Sequence, residues 1–167
     1  MGDVESLSKE ARLGFEVFTG KGKCIECHHG VNLTDEKFYA LGIPENSVLQ
    51  DDPRVSATRR FVAKVSGFAE FRTLSTDPGR FLITKKAEDW QAFKTPTLRE
   101  IVDTGPYMHN GIFQTIDEVI NFFDKGGGEN NKVLKPLNLD NTEKNALKEF
   151  LNSLSGEKIV FSFPQIP

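Results

Sequence analysis

The 167-residue chain holds two cysteines, three apart in Cys24-Ile25-Glu26-Cys27, with His28 directly after them. No other feature limits the fold and the chemistry as tightly. A disulfide across so short a loop adds little stability, because it removes little chain entropy from the unfolded state. A structural zinc needs about four ligands, and the strongest further donors are only His29 and His109. A thioredoxin-type redox pair sits where a strand passes into a helix. Here the pair follows the loop Thr19-Gly20-Lys21-Gly22-Lys23, which itself follows a helix-like segment. The remaining reading is covalent haem attachment through the pattern C-x-x-C-H. Positions i, i+3 and i+4 share one side of a helical turn. Both sulfurs can then meet the two vinyl groups on one haem edge, while His28 binds the iron. His29 points elsewhere on the turn and is expected at the surface.

Composition sets the class around this motif. There are 21 Lys and Arg against 24 Asp and Glu, a net charge of −3. A nucleic-acid binder would carry a clustered basic excess, so no nucleic-acid partner is expected. The hydrophobic fraction is 38%, enough for a buried core once glycine is counted with it. The apolar runs are too short for a transmembrane helix. Phe occurs 14 times, against one Trp and two Tyr.

Helical periodicity recurs along the chain. Leu7, Ala11, Gly14, Phe15 and Phe18 place a helix over 7–19, and a close crossing would account for Gly14 inside it. Residues 30–42 read as loop with a short extended piece, and 44–56 as loop. Phe61, Val62, Val65 and Phe68 suggest a short helix within 57–69, with Arg59, Arg60 and Lys64 as a solvated basic face. Thr95 before Pro96, or Thr97 with Glu100, marks a helix start. Residues 104–111 form a turn-rich loop. Thr115 and Glu118 make a capping box for a helix with Ile116, Val119, Ile120 and Phe123, stopped at Gly126. Asp140 and Glu143 open a last helix with Leu147, Phe150, Leu151 and Leu154, ended at Gly156. The glycine run 126–128 reads as a turn. The fold class expected is all-α: a cytochrome c-like helical domain with long loops around one covalently bound haem. It forms a single domain over 1–167, with a core of about 5–157 and a tail over 158–167.

An ordered set of motifs runs through the chain. These are Phe18-Thr-Gly-Lys-Gly-Lys-Cys24 through His28-His-Gly30, Asp77-Pro-Gly-Arg80-Phe81, and Phe93-Lys-Thr-Pro-Thr-Leu-Arg99. Thr104-Gly-Pro-Tyr-Met-His-Asn-Gly111 and Leu137-Asn-Leu-Asp140 leading into Phe150-Leu-x-x-Leu154 follow. The set resembles the C-terminal haem domain of the bacterial di-haem cytochrome c peroxidases and their MauG relatives, over about residues 5–157. The stretch 44–74 is longer than usual for that family and reads as an insertion. The family has two haem domains, and this chain has one haem motif. The resemblance assigns electron supply to the half that is present, and the peroxide-reactive haem to the half that is absent.

The resemblance also implies site residues. Cys24, Cys27 and His28 hold the haem, with His28 as the proximal iron ligand. Arg80 and Arg99 match family arginines, and a guanidinium pairs well with a propionate. His109 in the loop lies near the haem edge, and Tyr107 stands beside it. The family's distal ligand, Met or Tyr, falls fourteen residues after the loop histidine, which is Phe123 here. Phe cannot bind iron. The distal side is therefore an open five-coordinate iron, or is closed by Met108, whose thioether raises the reduction potential, or by His109 or a lysine. Trp90 and Phe93 border the haem or pack the core. The Thr104 and Pro106 carbonyls match part of an inter-domain calcium site whose other ligands belong to the absent half.

The function expected is a periplasmic monohaem electron carrier that exchanges single electrons with a redox partner protein. The alternative is a peroxidase-like or small-gas-binding protein with an open distal iron, taking a small oxidant such as peroxide. No distal acid–base pair stands out, although His109 and Glu118 are the nearest candidates. Haem c attachment takes place outside the bacterial cytoplasm. Residues 1–14 are polar and helix-like, so a leader is expected to be missing from the numbered chain.

Overall fold

A computed structural model describes residues 6–156; the expected C-terminal tail over 158–167 lies outside them. Local capping chemistry sets the helix starts. The Ser8 hydroxyl accepts the Ala11 N–H at 3.0 Å and opens α1 (Lys9–Thr19). After a two-residue strand β1 (Phe38–Tyr39), Asn46 caps the short α2 (Ser47–Gln50). Asp52 caps α3 (Pro53–Val65), with Pro53 at the first helical position. A short α4 (Phe81–Thr84) and strand β2 (Phe93–Lys94) follow. Complete capping boxes at Thr115/Glu118 and Asp140/Glu143 open α5 (Ile116–Asp124) and α6 (Asn141–Asn152).

The frame is a three-helix packing. α1 lies against α6, and α5 closes on α6. Val17, Phe18, Ile116, Ile120, Leu147, Phe150 and Leu151 form one buried cluster with Tyr107 and Leu139. The crossing of α1 and α6 requires Gly14. A Cβ at that position would overlap the Ala146 carbonyl and come within 2.7 Å of the Phe150 Cβ. The Phe150 ring then packs on Phe18 at 5.0 Å and on Phe15 at 5.5 Å between centroids.

Several expectations change. Beside the helices stands one short ribbon: β1 and β2 pair antiparallel, Tyr39 opposite Phe93 and Phe38 opposite Lys94. No helix starts at Thr95 or Thr97. The Thr95 N–H donates to the Lys37 carbonyl at 2.8 Å, and the Thr97 hydroxyl donates to Asn32 O at 2.6 Å. Residues 93–97 are thus pinned in an extended form across the loop 31–39. The expected helix within 57–69 begins at Pro53 and ends at Val65, and 44–56 contains α2 instead of loop alone. The last helix stops at Asn152, before Gly156. The glycine run does more than turn: Gly128 donates to Leu41 O at 3.0 Å. A Cβ at Gly42 would come within 2.7 Å of the Gly128 carbonyl carbon.

Candidate functional site

α1 leads into the cysteine motif through a tight loop. The Gly22 N–H donates to Val17 O at 2.8 Å, and Lys23 takes a positive φ of 53°. Cys24–Glu26 then form one 3₁₀ turn. The N–H groups of Cys27 and His28 both donate to the Cys24 carbonyl, at 3.3 and 2.9 Å. The expected single turn is present, and it carries both cysteines and the histidine.

No disulfide joins Cys24 and Cys27. Cys24 packs against the helical core. Burial pushes its thiol up to about 12. Burial also pushes Cys27 up, while the Tyr39 hydroxyl beside it pulls the other way. A redox-active cysteine pair needs the opposite shift, towards the thiolate. Among the described residues no group of three or more His, Cys, Asp or Glu could hold a metal ion.

His28 carries the decisive geometry. Its Nδ1 lies 2.9 Å from the Leu33 carbonyl oxygen. A carbonyl can only accept, so this contact favours the proton on Nδ1, and the Pro96 backbone also lies against the ring. Burial lowers the imidazole pKa, which favours the neutral, ligating form. The loop that supplies the carbonyl is itself tied down. Thr34 N–H donates to His29 O at 3.0 Å, Asp35 N–H to Cys27 O at 2.8 Å, and the Thr34 hydroxyl to Thr95 O at 2.7 Å. Such outer partners fix the orientation of a metal-binding histidine. Two cysteines that no disulfide joins and an oriented imidazole on one turn fit covalently bound haem. Cys24 and Cys27 would supply the thioethers and His28 the proximal nitrogen.

Tyr39 and Asp35, which no sequence motif singles out, stand beside Cys27. The Tyr39 hydroxyl donates to Asp35 Oδ2 at 2.6 Å. Desolvation works to raise the Asp35 pKa, but the Tyr39 hydroxyl and the Lys37 N–H outweigh it and hold the carboxyl at about 2. The contact spans only four residues of an irregular loop, where no periodicity marks it.

The remaining expected residues divide. Arg99 donates through Nε and Nη2 to Val31 O at 3.0 and 2.9 Å, bracing the loop after the motif. Arg80 faces Asp89 at 3.4 Å and lies over the Phe38 ring at 4.1 Å. Tyr107 is in the core, and its hydroxyl donates to Val102 O at 3.3 Å. His109 stacks on Phe93 with centroids 3.5 Å apart and planes 10° apart. Burial lowers its pKa, partly opposed by Asp77. Met108 is half-buried at a φ of 69°. Phe123 is half-buried on α5, edge-on to Phe122 at 5.5 Å. His29 is exposed, as expected. Trp90 packs with Phe68 and Phe81 in a separate aromatic cluster.

No protein-family model matches the chain. Individual proteins do. Cytochrome-c peroxidase IdrP2 of Denitromonas iodatirespirans is 39% identical over 99% of this chain and 45% of its own length. The methylamine utilization protein MauG of Methylorubrum extorquens is 29% identical over all of this chain and 40% of its own length. The crystal structure of a MauG-like protein associated with microbial copper homeostasis superposes with a TM-score of 0.66 at 24% identity, covering 93% of this chain and 50% of that one. The diheme peroxidase BthA of Burkholderia thailandensis gives 0.62 at 19% identity, over 89% and 43%. The two structures establish the fold. The chain spans less than half the length of these curated relatives, and the resemblance read from its motifs holds along nearly all of it.

Proposed function

We propose that this chain, kin to the cytochrome c peroxidases and MauG proteins, is a haem c unit that passes single electrons to or from a redox partner protein. One haem is bound through Cys24 and Cys27, with His28 Nε2 on the iron. The observation that carries the reading is the 2.9 Å contact from His28 Nδ1 to the Leu33 carbonyl, directly after two cysteines that no disulfide joins. Haem supplies a one-electron couple, and its potential depends on the axial ligands and on burial. The chain's own residues do the positioning. Leu33 and Thr34 hold the imidazole, Val17 and Phe18 back the Cys24 side, and Tyr39 with Asp35 flanks Cys27. Haem c attachment puts the mature protein in the periplasm. Among the described residues no helix is long and apolar enough to cross a membrane.

A second reading rests on Phe123. The family resemblance implies a distal ligand at this position, and Phe offers iron no donor, so the distal side would admit peroxide or a small gas. The ferric absorption spectrum, recorded before and after adding peroxide, separates the two. A low-spin spectrum unchanged by peroxide supports the carrier. A high-spin spectrum that changes rapidly with peroxide contradicts it. Met108→Ala tests the thioether: an unchanged spectrum rejects Met108 as the ligand.

A further inference from the structure

We propose that the outward face of α3 is the docking surface for an acidic one-electron partner protein, an inference that rests on the carrier reading and names the partner's chemistry. A surface helix ordinarily turns its apolar stripe inward. In α3 only Ala63 is buried, on the inner side. The stripe at i, i+4, i+8 (Ala57, Phe61, Val65) points outward, with Phe61 64% and Val65 66% exposed. Val62 on the next row is 43% exposed, and Val48 on the neighbouring α2 is 75% exposed. Single exposed apolar residues are ordinary, whereas several on adjoining turns with a charged rim mark an interaction site.

The rim is basic. Residues 53–65 contain Arg54, Arg59, Arg60 and Lys64 and no acidic residue, in a chain whose net charge is −3. Asp52 neutralises Arg54 at 2.7 Å. Arg59 and Arg60 donate to the carbonyls of Ser75 and Leu74. Lys64 and Arg72 lie over the Phe71 ring at 5.9 and 4.7 Å. Carbonyls and a ring leave these four charges uncancelled. The complement is an apolar centre with an acidic rim. One phenylalanine and three valines suit a small transient redox contact, while a membrane-surface helix buries a wide face of Trp, Phe and Leu.

The same helix reaches towards the haem motif. Val55, Arg59 and Val62 line a cleft of about 530 Å³ together with His109. His109 stacks on Phe93, and Phe93 pairs with Tyr39, which stands beside Cys27.

The test is stopped-flow reduction of the holoprotein by reduced flavodoxin, an acidic one-electron protein, with dithionite as a small inorganic reductant for comparison. The flavodoxin rate should fall about tenfold from low salt to about 0.5 M, where screening shortens the reach of charge. Phe61→Ser and the double variant Lys64→Glu/Arg72→Glu should each lower the low-salt rate about tenfold and leave the dithionite rate unchanged. The proposal is overturned if the variants match the parent with flavodoxin, or if the flavodoxin rate ignores salt. It is also overturned if the same substitutions abolish binding to phosphatidylglycerol vesicles or split a dimer in sedimentation, which would identify a membrane or a second copy as the occupant. A chain with no haem that dithionite can reduce would instead sink the carrier reading itself.

Discussion

The helical frame and the arm around α3 use similar residues for opposite ends. In the frame, Phe18, Phe150 and Ile120 are buried, and α1 and α6 approach so closely that Gly14 leaves no room for a Cβ. In the arm, Phe61, Val62 and Val65 face solvent and Ala63 alone is buried on its helix. Hydrophobicity by itself did not decide which helix joins the core. The decision lay in complementary surfaces: α6 offers a close crossing at Ala146 that fits a glycine, whereas α3 buries only Ala63 and leaves Phe61 and Val65 in solvent.

Substitutions sharpen this contrast, and Gly14→Leu should have the largest effect. Its side chain collides with the α6 backbone, so the helices must separate and the cost exceeds the roughly 1–3 kcal/mol of ordinary overpacking. We expect loss of cooperative unfolding in urea, and a normal transition would break the account of the crossing. Phe150→Ala leaves a cavity among Phe15, Phe18 and Leu147. It should cost about 3–5 kcal/mol by chemical denaturation. Asp140→Ala removes the cap of α6 and should cost about 1 kcal/mol. Phe61→Ser, also apolar to polar but in the arm, should stay within about 0.5 kcal/mol. A cost like that of Phe150→Ala would mean that α3 is packed after all.

The haem turn adds a pH-dependent case. Asp35 is held at about 2, below its ordinary 3.8. Its carboxylate therefore stabilises the folded state above about pH 4, and that stabilisation is lost as pH falls through the window from 4 to 2. Tyr39→Phe removes the hydroxyl donor, so its stability should depend less on pH within that window. An acid limb as steep as the parent's would show that the Tyr39–Asp35 contact does not matter in solution.

What could be read in the sequence was local or chemically singular. The Thr115/Glu118 and Asp140/Glu143 boxes form within four residues and needed no tertiary information. Gly14 signalled a close crossing because a glycine inside a helix needs a reason. The turn at Cys24–His28 followed from spacing. The misreadings came from partners distant in sequence. Thr95 and Thr97 looked like helix caps, but Lys37 and Asn32 claim that segment. Arg99 also has a partner the motif does not announce, the Val31 carbonyl. The short extended piece expected within 30–42 is β1, whereas its two-residue partner β2 carries no periodicity. The start of α3 was legible and was missed: an aspartate before a proline is an N-cap followed by a first-turn proline.

The central claim is that one haem is fixed to this chain through Cys24 and Cys27, with His28 beneath it. Its most direct test is the intact mass of the denatured chain, produced in a host that attaches haem c. The account predicts one haem retained per chain, and none retained in the Cys24→Ser/Cys27→Ser variant. A chain that sheds its haem on denaturation, or never carries one while both thiols stay free, would contradict it.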